Sequence, residues 1–137
     1  MVGHLIRRLN QNSTQVFSVK MQAAGYDLTP VQFAAMNAIA NSPGIDQAGV
    51  AAEIAYDRAT IGGVIDRLEQ KGYITRTVSK RDRRAREVSL SETGAEVFDR
   101  ILPVVIELQT GILPGLTQEE QTMFLQLANK AIVNITD

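Results

Sequence analysis

Five cations stand within seven consecutive residues in the second half of the chain. They are Lys80, Arg81, Arg83, Arg84 and Arg86. A guanidinium can bind a phosphate through two hydrogen bonds, and an arginine at the tip of a hairpin can enter a narrow minor groove of DNA. Asp82 interrupts the run and is expected to orient Arg83 or Arg84 rather than to meet an anion. The alternative for this segment by itself is a solvated charge run with no ligand.

The charges of the whole chain are segregated along the sequence. The formal net charge is only -1, but residues 58–86 carry +6 and the rest of the chain carries -7. A basic patch on an acidic body is typical of a protein that binds a polyanion. The sequence therefore indicates an anion-binding surface in the basic segment.

The segment just before the basic run has the pattern of an amphipathic helix at 57–71, with Asp57 as its cap. Ile61, Val64, Ile65 and Leu68 repeat at the spacing of one helix face, and Lys71-Gly72 ends the pattern. The opposite face carries Ala59, Gly62, Gly63, Asp66 and Arg67.

Two adjacent glycines inside a helix each cost about 1 kcal/mol relative to alanine, so a compensating reason is expected. A face without side chains can approach a DNA groove closely, so that Arg58, Thr60 and Arg67 reach base edges or phosphates. The alternative is that Gly62 and Gly63 permit tight helix packing.

Asp66 would repel phosphates from this face unless its charge is satisfied in another way. It can pair with a neighbouring residue, or it can accept a hydrogen bond from a cytosine amine. The sequence leaves both readings open.

The elements that would position these residues follow from apolar spacing, capping residues and turn residues. They are helices at 2–25, from Thr29-Pro30 to about 41, at 46–54 and at 57–71, strands at 73–78 and 86–90, and helices from Ser91, with a kink at Pro103, and from Thr117 to 135. This order is typical of a mainly α (α+β) winged helix-turn-helix with helices added at both ends. At 137 residues the chain is expected to form one domain.

The terminal helices carry long apolar stripes. The first has Leu5, Leu9, Val16, Val19 and Ala23, the helix after Ser91 has Val97, Ile101, Val104, Val105, Leu108 and Ile112, and the last has Phe124, Leu127, Ala128, Ala131 and Ile135. One small domain cannot cover all of these stripes, and symmetric dimers are the commonest way to bury such faces. The sequence therefore predicts a homodimer.

Asn12 and Ser13 interrupt the apolar face of the first helix, with His4, Arg7 and Arg8 a few turns away. An arginine can grip a carboxylate, and a histidine can meet a phenol, so these residues predict a site for a small aromatic anion. The alternative is that His4 and the two arginines are solvated near the terminus of the helix.

The residue inventory argues against an enzyme and against a metal or cofactor site. The chain has one histidine and no cysteine, and it lacks a glycine-rich phosphate loop. It also shows no signal-peptide pattern and no apolar run of about 20 residues, so we expect a cytoplasmic protein without a membrane segment.

Three segments resemble the MarR family of bacterial regulators: DRAT at 57–60, DRLEQKGYI at 66–74 and DRRAREVSLSETG at 82–94. The resemblance covers essentially the whole chain. It implies a winged helix-turn-helix at 29–90, homodimerisation through residues 1–25 and 91–137, and binding of a palindromic operator in double-stranded DNA through the helix at 57–71 and the wing at 73–90. By position, Arg84 corresponds to the family's minor-groove arginine and Asp82 to its structural partner.

The resemblance also implies regulation by a small molecule, because many relatives are repressors released by aromatic or phenolic anions. The segment GHLIRR at 3–8 is similar to a subgroup that senses aromatic carboxylic acids. Gly62-Gly63 departs from the polar residues usual at these positions in the family. The alternative function is a winged-helix module for protein contacts or for nonspecific DNA binding.

Overall fold

The computed structural model describes residues 1–56 and 58–135, and for Arg58 its backbone alone. This part of the chain contains six α-helices and a two-stranded sheet. They are α1 (Val2–Ala23), α2 (Pro30–Asn41), α3 (Gln47–Glu53), α4 (Arg58–Gln70), α5 (Glu92–Leu108) and α6 (Gln118–Ile132), with β1 (Ile74–Val78) and β2 (Arg86–Leu90) between α4 and α5. The predicted mainly α winged helix-turn-helix is confirmed.

Four of the predicted helix starts are fixed by side-chain caps. Thr29 and Gln32 form a capping box before α2, with Pro30 at the first helical position, and Thr117 and Glu120 form one before α6. The side chain of Asp46 accepts a hydrogen bond from Gly49 N–H at 2.7 Å, and Ser91 caps α5. The predicted cap of α4, Asp57, lies outside the described residues.

The hydrophobic core is built where α2, α4 and α5 meet. Ile61, Ile65 and Leu68 of α4 are buried, as the helical spacing predicts. The predicted stripe of α5 is buried at Val97, Ile101, Val105 and Leu108. The ring of Phe33 in α2 stacks on that of Phe98 in α5, with centroids 5.8 Å apart.

The buried face of α1 differs from the predicted stripe. Phe17 and Met21 are its buried residues, whereas Leu5 and Val19 are exposed. The reason is that α1 packs on α5 through its C-terminal half, and its N-terminal half extends past the core. The helix also ends at Ala23, two residues before the glycine that was expected to stop it.

The end of α5 also differs from the expected pattern. The helix stops at Leu108 and continues as a single 3₁₀ turn, Gln109–Gly111, so that Ile112 lies outside it. Pro103 lies within α5, and the kink expected there stays a prediction.

The two strands pair antiparallel, with Ile74 opposite Leu90 and Val78 opposite Arg86. Alternate residues point to the core, so Ile74 and Val88 are buried. A third segment extends the sheet, since Val88 N–H donates to Ile45 O at 2.9 Å. The wing is therefore attached along β2 to the segment that precedes α3.

A tight junction joins α4, both strands and α5. Gly72 has φ +81° and turns the chain out of α4. Ser91 N–H then donates to Tyr73 O at 2.9 Å, and Ser91 Oγ donates to Gly72 O at 2.5 Å. A Cβ placed on Gly94 would lie 1.8 Å from Tyr73 O, so no side chain fits there.

Gly94→Ala is therefore expected to destabilise the fold by roughly 3 kcal/mol, because backbone atoms at this junction must move. Gly3→Ala, in a helix position with open space around it, serves as the matched control. Chemical denaturation of both variants measures the effect, and an unchanged unfolding free energy for Gly94→Ala would contradict the close packing.

Candidate nucleic-acid interface

The outer face of α4 is open to solvent. Ala59, Thr60, Gly63, Asp66 and Arg67 are exposed, and Gly62 is half-buried. The apolar residues on the other side of α4 anchor the helix in the core, so this face is held in place from below. The side chain of Arg58, predicted to contact DNA, lies outside the described part of the chain.

The two glycines of α4 do not serve helix packing. Among the described residues outside the backbone of α4, a Cβ on Gly63 would have no atom within 4 Å, and one on Gly62 would meet only the side-chain amide nitrogen of Gln47, at 3.5 Å. The alternative of tight packing is therefore wrong. The cost of two glycines in a helix has no compensating contact within the described structure.

The loop 79–85 closes the wing through its own backbone. Ser79 is buried, and its Oγ accepts hydrogen bonds from Arg81 N–H at 3.1 Å and from Asp82 N–H at 3.3 Å. Ser79 N–H donates to Ala85 O, also at 3.1 Å. The role of Ser79 was not predicted from the sequence, although a serine at the start of a loop is a common way to satisfy the N–H groups that follow it.

The wing cations point away from the protein. Lys80, Arg81, Arg83, Arg84 and Arg86 are all exposed. The side chain of Arg84 is 94% exposed, while Asp82 Oδ1 accepts the Arg84 N–H at 3.0 Å and lies 3.6 Å from its Nε. Asp82 is thus placed to orient Arg84, one of the two partners that its position suggested.

The wing and α4 border the same groove. This groove has a volume of about 220 Å³ and is lined by Asp46, Gln47, Ala48, Ile61, Arg84, Ala85 and Arg86. It brings the exposed arginines of the wing next to the N-terminal part of α4. The wing and α4 thus lie close to each other, and their joint binding of DNA stays a prediction.

Asp66 pairs within the protein. Arg76 of β1 donates to Asp66 Oδ1 at 2.6 Å and to Glu69 Oε1 at 2.9 Å. The hydrogen bond from Arg76 lowers the pKa of Glu69, and the same bond raises the pKa of Arg76. Of the two readings that the sequence left open, pairing with a neighbour explains why a carboxylate stands on this face.

Two cations of the basic segment are engaged inside the protein. Arg76 is bound by Asp66 and Glu69, and Lys71 Nζ donates to Asp27 O and, at 3.1 Å, to Gln32 Oε1. The charge count of the sequence included both as part of an anion-binding patch. Their distant partners, in particular Asp27 and Gln32, cannot be recognised from charge spacing alone.

The residues predicted to bind an effector do not form one site in the single chain. Arg7 Nη2 donates to His4 Nδ1 at 3.0 Å, and His4, Arg7 and Arg8 are exposed. Asn12 Nδ2 donates to Ile112 O at 2.8 Å and so ties α1 to the turn after α5. Ser13 lines a cavity of about 410 Å³ whose other walls are Leu9, Asn10, Gln109, Thr110, Ile112, Leu113, Gln121, Phe124 and Leu125.

Among the residues that the structure describes, no group of three or more histidine, aspartate and glutamate side chains could hold a metal ion. Over the same residues, none of the helices has the length and apolar character needed to cross a membrane.

Comparison with known proteins identifies the family. A model described as the MarR family matches residues 26–85. The transcriptional regulator HosA of Escherichia coli is 32% identical over 127 residues, which cover 93% of this chain and 91% of HosA. The chain belongs to the MarR family.

Further members match over similar lengths. The transcriptional repressor NicR of Pseudomonas putida is 31% identical over 131 residues, which cover 96% of this chain and 82% of NicR. The structure of BpsR from Bordetella bronchiseptica, whose DNA binding is regulated by 6-hydroxynicotinic acid, superposes with a TM-score of 0.89 at 26% identity. That match covers 99% of this chain and 95% of BpsR. The resemblance seen in the sequence is thus confirmed over nearly the whole chain.

Proposed function

We propose that this protein is a transcriptional repressor that binds a palindromic DNA operator as a homodimer. The observation that carries the proposal is that the exposed outer face of α4 and the exposed wing arginines lie on neighbouring elements, since a groove of about 220 Å³ is lined by Arg84 and Arg86 of the wing, the start of α3 and Ile61 of α4. An exposed helix beside an exposed hairpin can bind one duplex in two adjacent grooves. Binding alone accounts for the function, so the chain needs no catalytic group, and it acts in the cytoplasm, where bacterial DNA lies.

In the proposed complex, α4 enters the major groove. Its bare face at Gly62 and Gly63 lets the helix axis come close to the base edges, and Thr60 and Arg67 stand beside it. The side chain of Arg58 is assigned to the same face from sequence. Because Ala59, Gly62 and Gly63 offer the bases no side-chain donor or acceptor, close approach and the fit of groove shape contribute to selectivity.

The wing supplies the second contact. Arg84, at the exposed end of the hairpin, is assigned to the minor groove, and Asp82 holds it in an orientation that needs little ordering on binding. Lys80, Arg81, Arg83 and Arg86 are assigned to phosphates, which fix the register of the protein on the duplex.

Residues 1–25 and 91–137 are proposed as the dimerisation region around the winged helix-turn-helix at 29–90. α6 buries none of its described residues in the single chain, and its exposed side chains include Met123, Leu125, Leu127 and Ile132. Leu5 and Ile6 of α1 are exposed as well. A second copy would cover these surfaces and would place two α4 helices about 34–36 Å apart, one turn of DNA.

We further propose that a small aromatic carboxylic acid releases the repressor from DNA. Support comes from BpsR, whose DNA binding is regulated by 6-hydroxynicotinic acid, and from the proximity in sequence of His4, Arg7 and Arg8 on α1, of which Arg7 and His4 are in contact. Arg7 and Arg8 can bind a carboxylate, and His4 can meet a ring hydroxyl. Since these residues lie on a helix assigned to the dimer, an acid bound there would favour one separation of the two wings over another.

Arg84→Ala should weaken binding to a palindromic promoter fragment by roughly 1–3 kcal/mol, because a minor-groove contact is lost. Fluorescence anisotropy on the fragment and on random duplex at physiological salt measures the effect. A specific regulator should prefer the fragment by about 10³ or more. A ratio near one for the unmodified protein would favour the nonspecific-binding module instead, and a loss within error for Arg84→Ala would reassign the contact to another wing arginine.

Gly63→Ala is expected to change stability and binding in opposite directions. The free energy of unfolding should rise by up to about 1 kcal/mol, since the added methyl group has no atom of a neighbouring element within 4 Å in the described part of the chain. Operator affinity should fall, because the methyl group would separate α4 from the bases. Gly3→Ala, also helical and in open space, is the control, and full operator affinity in Gly63→Ala would refute close approach at this position.

Aromatic acids should raise the melting temperature of the protein and weaken its binding to the operator fragment. Arg8→Ala should blunt both effects, because the carboxylate loses a cationic partner. Thermal melting across a panel of hydroxybenzoic and hydroxynicotinic acids provides the test. Melting temperatures that stay constant across the panel would remove the effector proposal without affecting DNA binding.

A further inference from the structure

The guanidinium of Arg76 joins three elements of the wing and the helix-turn-helix. Arg76 lies in the middle of β1, and Nη2 reaches Asp66 and Glu69 of α4 at 2.6 and 2.9 Å. Nε donates to Glu69 Oε2 at 3.4 Å, and Nη1 donates to Oε1 of Gln47, the first residue of α3, also at 3.4 Å. All three nitrogens of this side chain thus have acceptors within the protein.

We infer that Arg76 is a positioning residue for DNA binding, which fixes the wing relative to α4 and does not itself touch DNA. The inference rests on the proposed function, because it concerns how that same interface is held together. With a side chain only 24% exposed, Arg76 differs from the wing arginines, which point into solvent.

The wing needs such an attachment because a two-stranded hairpin is marginally stable alone and twists readily. On the β2 side, Val88 N–H bonds to Ile45 O. On the β1 side, Ile74 is buried near the base, but Thr75, Thr77 and Val78 are exposed. Arg76 therefore provides the attachment between the outer half of β1 and α4.

The network also reaches the groove between the wing and α4. Gln47, which accepts from Arg76, lines that groove together with Arg84. The same side chain lies 3.5 Å from the position of a Cβ on Gly62. Losing Arg76 would thus release the side chain of Gln47 and the outer half of β1 together, and would change the spacing between the two DNA-binding segments.

A second effect of Arg76, neutralising carboxylates near DNA, must be separated from positioning. Asp66 is 54% exposed and Glu69 is also exposed, so Arg76→Met would leave two uncompensated charges beside the duplex. The double variant Arg76→Met with Asp66→Asn avoids this, because its cluster keeps the net charge of -1 that Arg76, Asp66 and Glu69 have together. It removes the attachment and leaves the local charge as it was.

The experiment measures binding of the double variant to an operator fragment and to random duplex over a range of salt concentrations. Operator affinity should fall by about tenfold, because the register of the protein on the operator depends on the position of the wing. Affinity for random duplex should change by less than about twofold, because attraction to phosphates does not depend on that position. The dependence of log affinity on log salt should keep its slope, since no phosphate contact is lost. Spin labels on the wing tip and on α4 should show a broader distance distribution in the free protein.

Arg76→Lys gives a second test that retains the charge. An ammonium group cannot match the three-sided contact of a guanidinium, so operator affinity should lie between those of the unmodified protein and the double variant. If the double variant does not fold, Arg76→Lys alone provides the test. An operator affinity of Arg76→Lys equal to that of the unmodified protein would overturn the inference.

Two other results would also overturn the positioning role. Recovery of full operator affinity in the double variant would show that Arg76 acts only through charge. A salt slope reduced by about one would show that Arg76 meets a phosphate directly. Failure of the unmodified protein to distinguish operator from random duplex would instead refute the proposed function, and is recognised without any variant.

Discussion

The junction between the end of α4 and the start of α5 sets the arrangement on which the binding surface depends. Ser91 bonds to the carbonyls of Gly72 and Tyr73, and Gly94 leaves no room for a side chain against Tyr73. Because β1 begins directly after this turn and β2 ends directly before Ser91, the base of the wing cannot move independently of α4. The core contacts of Ile65 and Leu68 then fix α4 itself.

Farther along the wing, towards its tip, polar contacts rather than apolar burial hold the chain in place. Arg76 attaches the middle of β1 to α4, and Ser79 with Asp82 shapes the loop at the tip. Exposed ion pairs add little to stability, so their main effect here is on geometry. The result is a wing whose base is buried and at whose exposed tip Asp82 orients Arg84.

The local elements could be predicted because their signals lie within a few residues of one another. The capping boxes at Thr29 and Thr117 and the apolar spacing of α4 fall in this class. The partners of Asp66 and Lys71 could not be predicted in this way, since Arg76 and Gln32 come within hydrogen-bond distance only when the wing and α2 pack on α4. The prediction of the buried face of α1 was wrong for a similar reason. Several apolar residues of α1 have helical spacing, and only its packing against α5 determines that Phe17 and Met21 are the ones buried.

The molecule combines a winged helix-turn-helix with terminal helices whose apolar surfaces are exposed in the single chain. The central claim is that α4 and the wing hold one duplex simultaneously, in adjacent grooves. Footprinting the unmodified protein on one operator fragment, with a guanine N7 probe for the major groove and hydroxyl radicals for the minor groove, tests this directly. The account predicts two major-groove sites about one helical turn apart, each with minor-groove protection beside it. Protection confined to one groove would contradict it.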